Sequence, residues 1–150
     1  MGEKITKFTK IILDIMFVLG IIVTLSIPWS IKNIFEVFDM EPMHSYSSII
    51  VALMASGVMA VLIIWELRKI FSSVINHNCF VNSNVISLKK MSVYSFVISV
   101  VMLVRCIFIK LTLAALSMVL VFVIAGLFSI VLAFVFDQAI NYKEENDLTI

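Results

Sequence analysis

LRKIFSSVINHNCFVNSNVISLKKM, residues 67–91, is the long polar interruption in an otherwise apolar chain, and the rest of the sequence is arranged around it. Basic pairs stand near both ends of this stretch, Arg68 with Lys69 and Lys89 with Lys90. Apolar runs lie in pairs on either side of it. The pattern predicts a polar connector between two halves, each with two membrane spans.

The composition excludes an ordinary soluble domain. Of the 150 residues, 62% are hydrophobic and only 14% are charged, whereas a soluble domain is about half apolar and about a quarter charged. Such a chain cannot cover its own surface with polar groups, so the bilayer must be its main solvent. We predict an all-α integral membrane protein with one membrane domain over residues 1–150.

The predicted spans are apolar runs of helical length, and the polar ends of the chain flank them. A signal peptide is the alternative interpretation of the first run, but its length and the lack of a small-residue cleavage site favour an uncleaved span. Pro28 and Trp29 are expected to end it. The predicted spans are 11–28, 47–67, 92–109 and 113–136, with a connector at 68–91 and a tail at 137–150.

Residues 30–43 alternate in the manner of an amphipathic helix. Apolar side chains recur at helical spacing, and polar side chains occupy the other face. This predicts a short outer helix lying in the membrane interface as a lid over the spans, or alternatively as a lid that grips a ligand. The lid residues are Ile31, Ile34, Phe35, Glu36, Phe38 and Asp39.

The basic residues fix the expected orientation. With both termini inside, eight of the eleven Lys and Arg residues fall on inner segments, and Lys32, Arg105 and Lys110 fall on outer ones. The positive-inside rule therefore places both termini and the connector in the cytoplasm.

Four ionisable residues are expected at or near membrane depth: Asp14, Glu66, Arg105 and Asp137. Asp14 lies one helical turn after Lys10, which predicts an ion pair between them. The alternative is an acidic ring of Asp14, Glu66 and Asp137 at the inner mouth of the bundle.

Arg105 is expected near the outer end of the third span. Its guanidinium could reach outward to the interface, or pair with the outer acidic residues Glu36, Asp39 and Glu41. Such a pair would fasten the lid to the bundle.

Small residues repeat at every fourth position in the second and fourth spans. Small faces let helices approach closely in membranes, so we predict that these two faces pack together, with a homodimer seam as the alternative. The residues are Ala52, Ser56 and Ala60 in the second span, and Ala125, Ser129 and Ala133 in the fourth.

No motif in the sequence indicates catalysis or a cofactor. His77 and Cys79 are too few ligands for a structural metal site, and His44 is expected on the other side of the membrane. Cys79 and Cys106 are also expected on opposite sides and therefore as free thiols. We predict no enzyme activity, no cofactor, no metal and no direct contact with nucleic acid.

The connector and the tail are predicted to form one cytoplasmic surface. Acidic residues of the tail could reach basic residues of the connector and form a latch that opens easily, because exposed ion pairs contribute about 0–1 kcal/mol each. The residues expected at this partner interface are Arg68, Lys69, Phe80, Asn84, Lys89, Lys90, Glu144, Glu145, Asn146 and Asp147.

Three segments carry a family resemblance: LRKI at 67–70, FVNSNVISLKK at 80–90 and ENDLTI at 145–150. Together with the order of spans they resemble a family of small bacterial four-span membrane proteins of unknown function. Cys79 stands where that family usually has proline, and Ala139 where it commonly has glycine. The resemblance implies a bacterial inner-membrane protein that works with a Cro-like helix-turn-helix regulator encoded beside it. It implies no activity.

Three functions of different classes are compatible with these features. The first is a regulatory or interaction protein whose connector and tail bind a cytoplasmic partner, such as a helix-turn-helix regulator. The second is a membrane ligand sensor, or an immunity or stress-protection protein, that uses the outer helix and Arg105. The third is a small transporter or channel, and a homo-oligomer is compatible with all three.

Overall fold

The computed structural model describes residues 2–37, 45–76, 79–108 and 112–148, and these form four long helices. They are α1 (Gly2–Val37), α2 (Ser45–Ile75), α3 (Asn82–Phe108) and α4 (Leu113–Leu148). Each contains a run that is long and apolar enough to cross a membrane. The predicted all-α fold class with four spans is therefore confirmed.

The helices are longer than the bilayer requires. At 1.5 Å per residue, the 31 residues of α2 extend over about 46 Å and the 36 residues of α4 over about 54 Å. The hydrocarbon core of a bilayer is only about 30 Å thick. Most of the connector and of the tail is therefore a continuation of the spanning helices and not irregular chain.

The first helix continues through Pro28, and the prediction that this residue ends the span is wrong. Proline lacks the N–H that would bond to the carbonyl four residues earlier, but helices in membranes tolerate this loss. Residues 30–37 therefore belong to α1, and the separate outer helix is not confirmed. Phe38 and Asp39, which were assigned to that lid, lie outside the described residues.

Consecutive helices run antiparallel and pack as a row. Phe17 of α1 contacts Trp65 of α2, and Gly126 of α4 lies against Phe96 of α3. In the described ranges the backbone of α1 comes close only to that of α2, and the backbone of α4 only to that of α3. The helix α3 is the most buried of the four: 39% of its spanning window is buried, against 11–17% for the others.

The two ends of this row hold different parts of the chain. One end holds the start of α1, the end of α4 and the turn between α2 and α3, and we call it the termini end. The other is called the far end. The structure thus places both ends of the described chain on one side of the bundle.

The two small-residue faces do not pack on each other, and that prediction is wrong for the described part of the chain. The backbones of α2 and α4 do not come into contact, because α3 separates them. Gly57 lies against Thr24 of α1, whereas Gly126 lies against Phe96 of α3. Ala133 is fully buried at the α4 surface that faces α3.

Candidate interaction site at the termini end

An ion pair joins α1 to α2 near the termini end. The Nε atom of Arg68 donates to the Oδ1 atom of Asp14 at 2.5 Å. The same guanidinium lies 4.7 Å from the ring centroid of Phe17 and 5.4 Å from that of Trp65. The predicted pairing of Asp14 with Lys10 is therefore wrong, because a stacked, planar guanidinium on the neighbouring helix takes the carboxylate.

A buried carboxylate joins α2 to α3 at the same depth. Glu66 is 4% exposed, and its Oε2 atom accepts a hydrogen bond from the Ser87 hydroxyl at 2.8 Å. Its Oε1 atom accepts one from Lys69 Nζ at 3.1 Å, and Lys90 Nζ lies at 3.9 Å. A buried charge needs such partners to offset its lost hydration.

These two pairings exclude the acidic ring. Asp14 and Glu66 each face basic groups, and Asp137 is exposed on α4, which does not contact α1 in the described residues. The three carboxylates therefore do not converge on one mouth.

Near the termini end, apolar side chains from α2, α3 and α4 form one cluster. Its buried members are Ile70, Val85, Leu88, Met91 and Ala133. Against it pack Ile63, Leu67 and Val74 of α2, and Leu132, Phe136 and Ile140 of α4. The connector helices and the first turn of the tail thus share one core, which extends past the predicted ends of the spans.

The turn between α2 and α3 is closed by a side chain. The Asn84 amide donates to the Cys79 carbonyl at 2.7 Å, and its backbone N–H donates to the Val81 carbonyl at 3.0 Å. Asn84 is only 2% exposed, so this predicted interface residue holds the turn and is not accessible to a partner. Phe80 contacts Phe136 at 5.4 Å between ring centroids and ties the turn to α4.

The remaining predicted interface residues are mostly exposed. The exposed ones are Lys69, Phe80, Lys89, Lys90, Glu144, Glu145 and Asn146. Arg68 is half-buried, and the side chain of Asp147 lies outside the described residues. Three of the basic residues of the predicted latch pair with carboxylates of α1 and α2: Arg68 with Asp14, and Lys69 and Lys90 with Glu66. The latch itself stays a prediction.

Arg105 lies at the far end, away from this site. Within the described residues, its buried Nε atom has no hydrogen-bond partner. Glu36, one of its predicted partners, lies 3.8 Å from Lys32 instead, and Asp39 and Glu41 are outside the described ranges. Of the predicted lid, Ile31 is buried and Ile34 is half exposed, both as part of α1.

Metal-ligating side chains do not converge in the described part of the chain, where no three His, Cys, Asp or Glu residues come together. His44 and His77 lie outside that part. Cys79 belongs to the turn at the termini end, and Cys106 lies near the far end of α3.

A family model described as "Protein of unknown function (DUF2975)" matches residues 9–150, which include all four helices, the turn and the tail. The chain belongs to the DUF2975 family. No curated protein and no solved structure matches it. Membership in DUF2975 confirms the resemblance to a family of unknown function, and it leaves the activity to be argued from the site.

Reading the sequence missed the polar stripe of α3 in this DUF2975 protein. Ser87, Ser92, Ser95 and Ser99 are at most 5% exposed. Small hydroxyl residues at spacings of three to five positions are a signal for a helix with close neighbours on both sides. That signal indicates that α3 is the most buried helix, which the alanine repeats of α2 and α4 did not reveal.

Proposed function

We propose that this protein is a non-enzymatic regulatory or interaction protein of the bacterial cytoplasmic membrane, with both termini in the cytoplasm. The termini end would then be the cytoplasmic end and would hold a soluble partner. The observation that carries the proposal is the apolar cluster shared by the connector and the tail. Because this cluster extends beyond the predicted spans, it supports the exposed side chains of the connector and the tail on one ordered surface, which we call the platform. A preorganised surface binds with a smaller entropy cost than a disordered one.

The exposed side chains of this platform suit a protein partner. Phe80 is 48% exposed and Tyr142 is 67% exposed, although both are aromatic. Aromatic side chains are the most frequent anchors of protein interfaces. Exposed charged residues of both signs belong to the same two segments, including Lys89 on α3 and Glu144 on α4.

The charge of the tail favours a basic partner surface. Residues 143–150 contain Lys143 against Glu144, Glu145 and Asp147. A helix-turn-helix regulator, the partner that the family resemblance implies, presents a basic surface to DNA. We infer that the tail competes with DNA for that surface and so retains the regulator at the membrane.

Truncation after Tyr142 tests this function. Phe136 and Ile140 of the apolar cluster remain in the truncated chain, so the bundle should stay folded and inserted. We expect co-purification of the regulator from mild detergent to be lost. Undiminished co-purification with the truncated protein would contradict the proposal.

A charge-reversal pair provides the matched control. Glu144→Lys should weaken capture of the regulator, whereas Glu36→Lys makes the same charge change at the far end and should not. Equal effects of the two substitutions would mean that net charge and not the tail is recognised.

A reporter enzyme active only outside the cytoplasm, fused at Ile150, should be inactive if the orientation is correct.

A further inference from the structure

A groove opens between α2 and α3 at the far end of the bundle. Its volume is about 520 Å³, within the range of about 300–1,000 Å³ that is typical of small-molecule sites. Valine and alanine side chains line most of it, Ser47 and Ser48 stand at one end, and Arg105 is its one charged lining residue. A second, wholly apolar groove of about 330 Å³ shares Val100 and Val101 with the first and reaches Val93.

The two grooves together have the length of one leaflet. Val93 and Arg105 are twelve positions apart, which corresponds to about 18 Å along α3 at 1.5 Å per residue. Half of the hydrocarbon thickness of a bilayer is about 15 Å. Val51 is 67% exposed and Val100 is 59% exposed, so the groove is open sideways to the membrane.

The polar end of the groove is suited to an anion. Arg105 lies in the last turn of α3, and its buried Nε atom has no partner among the described residues. A guanidinium matches the geometry of a phosphate group and is less strongly hydrated than an ammonium. The Ser47 and Ser48 hydroxyls add donors, and both belong to the first turn of α2, whose free backbone N–H groups also favour negative charge.

We propose that this groove binds one anionic phospholipid, with the phosphate on Arg105 and one acyl chain along the valines towards Val93. The positive end and the apolar length of the groove complement the two parts of such a lipid. The site is independent of the partner surface, since it lies at the opposite end of the bundle.

Lipid association of the full-length protein in nanodiscs tests the proposal. Spin-labelled phosphatidylglycerol and spin-labelled phosphatidylcholine are each added to phosphatidylcholine nanodiscs, and the immobilised fraction gives their relative association. We expect a preference for phosphatidylglycerol that Arg105→Gln lowers by roughly ten-fold, since hydrogen bonds to charged groups are among the stronger ones. Ala52→Phe should lower it similarly, because it fills the groove and keeps the charge.

Lys32→Gln is the matched control, since it removes one exposed positive charge from the same end of the protein. It should change the preference by less than about two-fold, because exposed charges are screened. Circular dichroism and monodisperse elution check that each variant folds, and either groove variant suffices for a decision. The proposal is overturned by equal losses in Arg105→Gln and Lys32→Gln, by no loss in a folded Ala52→Phe, or by competition from inorganic phosphate.

Discussion

Replacing Glu66 by alanine should destabilise the contact between α2 and α3 by about 2–4 kcal/mol. The Ser87 hydroxyl loses a charged and buried acceptor, and such hydrogen bonds contribute about 1.5–3 kcal/mol. Lys69 and Lys90 are about half exposed, with 48% and 51% of their side-chain surface accessible, so solvent screening limits each pair to at most about 1 kcal/mol. Glu66→Gln keeps a carbonyl acceptor for Ser87 and should therefore lose only about 1–2 kcal/mol.

The assay is reversible unfolding in mixed micelles, monitored by far-ultraviolet circular dichroism. A double-mutant cycle of Glu66→Ala with Ser87→Ala should give a coupling energy of about 1–2 kcal/mol, because the two side chains share one hydrogen bond. Added salt should reduce only the contribution of the lysines. If Glu66→Ala unfolds within about 0.5 kcal/mol of the parent chain, the reasoning about the buried carboxylate is refuted.

Three further substitutions test the packing of the helices in the same unfolding assay. Gly57→Ala should lose about 1–3 kcal/mol, since its Cβ would lie 2.9 Å from two atoms of Thr24, and Thr24→Ala in the same chain should restore most of the loss. Arg68→Lys should lose about 1 kcal/mol, because it keeps the charge opposite Asp14 but not the planar stacking; full stability would contradict a role for stacking. Ala133→Leu should lose about 1–3 kcal/mol because its site is fully buried, and a neutral result would mean that α4 can move away from α3.

The number and type of the elements follow from the sequence, but the arrangement of the helices does not. Apolar runs of helical length predict four spans because the bilayer demands them. Which helices are neighbours is encoded by amphipathic faces, and α4 is apolar all round over its span. The alanine repeat of α4 therefore predicts α2 as its neighbour, whereas in the structure α3 lies between them.

The sequence did not reveal the partners of the charged residues. The sequence predicts Asp14, Glu66 and Arg68 near one membrane boundary, and in the structure all three lie near the termini end of the bundle. Local spacing favoured Lys10 as the partner of Asp14, yet antiparallel packing brings Arg68 to it from 54 residues away. Asn84 illustrates a different error. Its place in a polar stretch predicts an exposed side chain, but the side chain is buried because its amide donates to the Cys79 carbonyl in the turn.

The position of α1 at the edge of the row has a consequence for local unfolding. The helices α2, α3 and α4 share the apolar cluster, to which α1 contributes no member. Cooperative units with few buried contacts open subglobally at a lower free energy than the rest of a protein. Separating α1 from the other three helices requires breaking only its interface with α2, in which the pair of Asp14 with Arg68 is the one ion pair among the described residues. We therefore expect α1 to open at a lower free energy than the other three helices, while the platform of connector and tail stays intact.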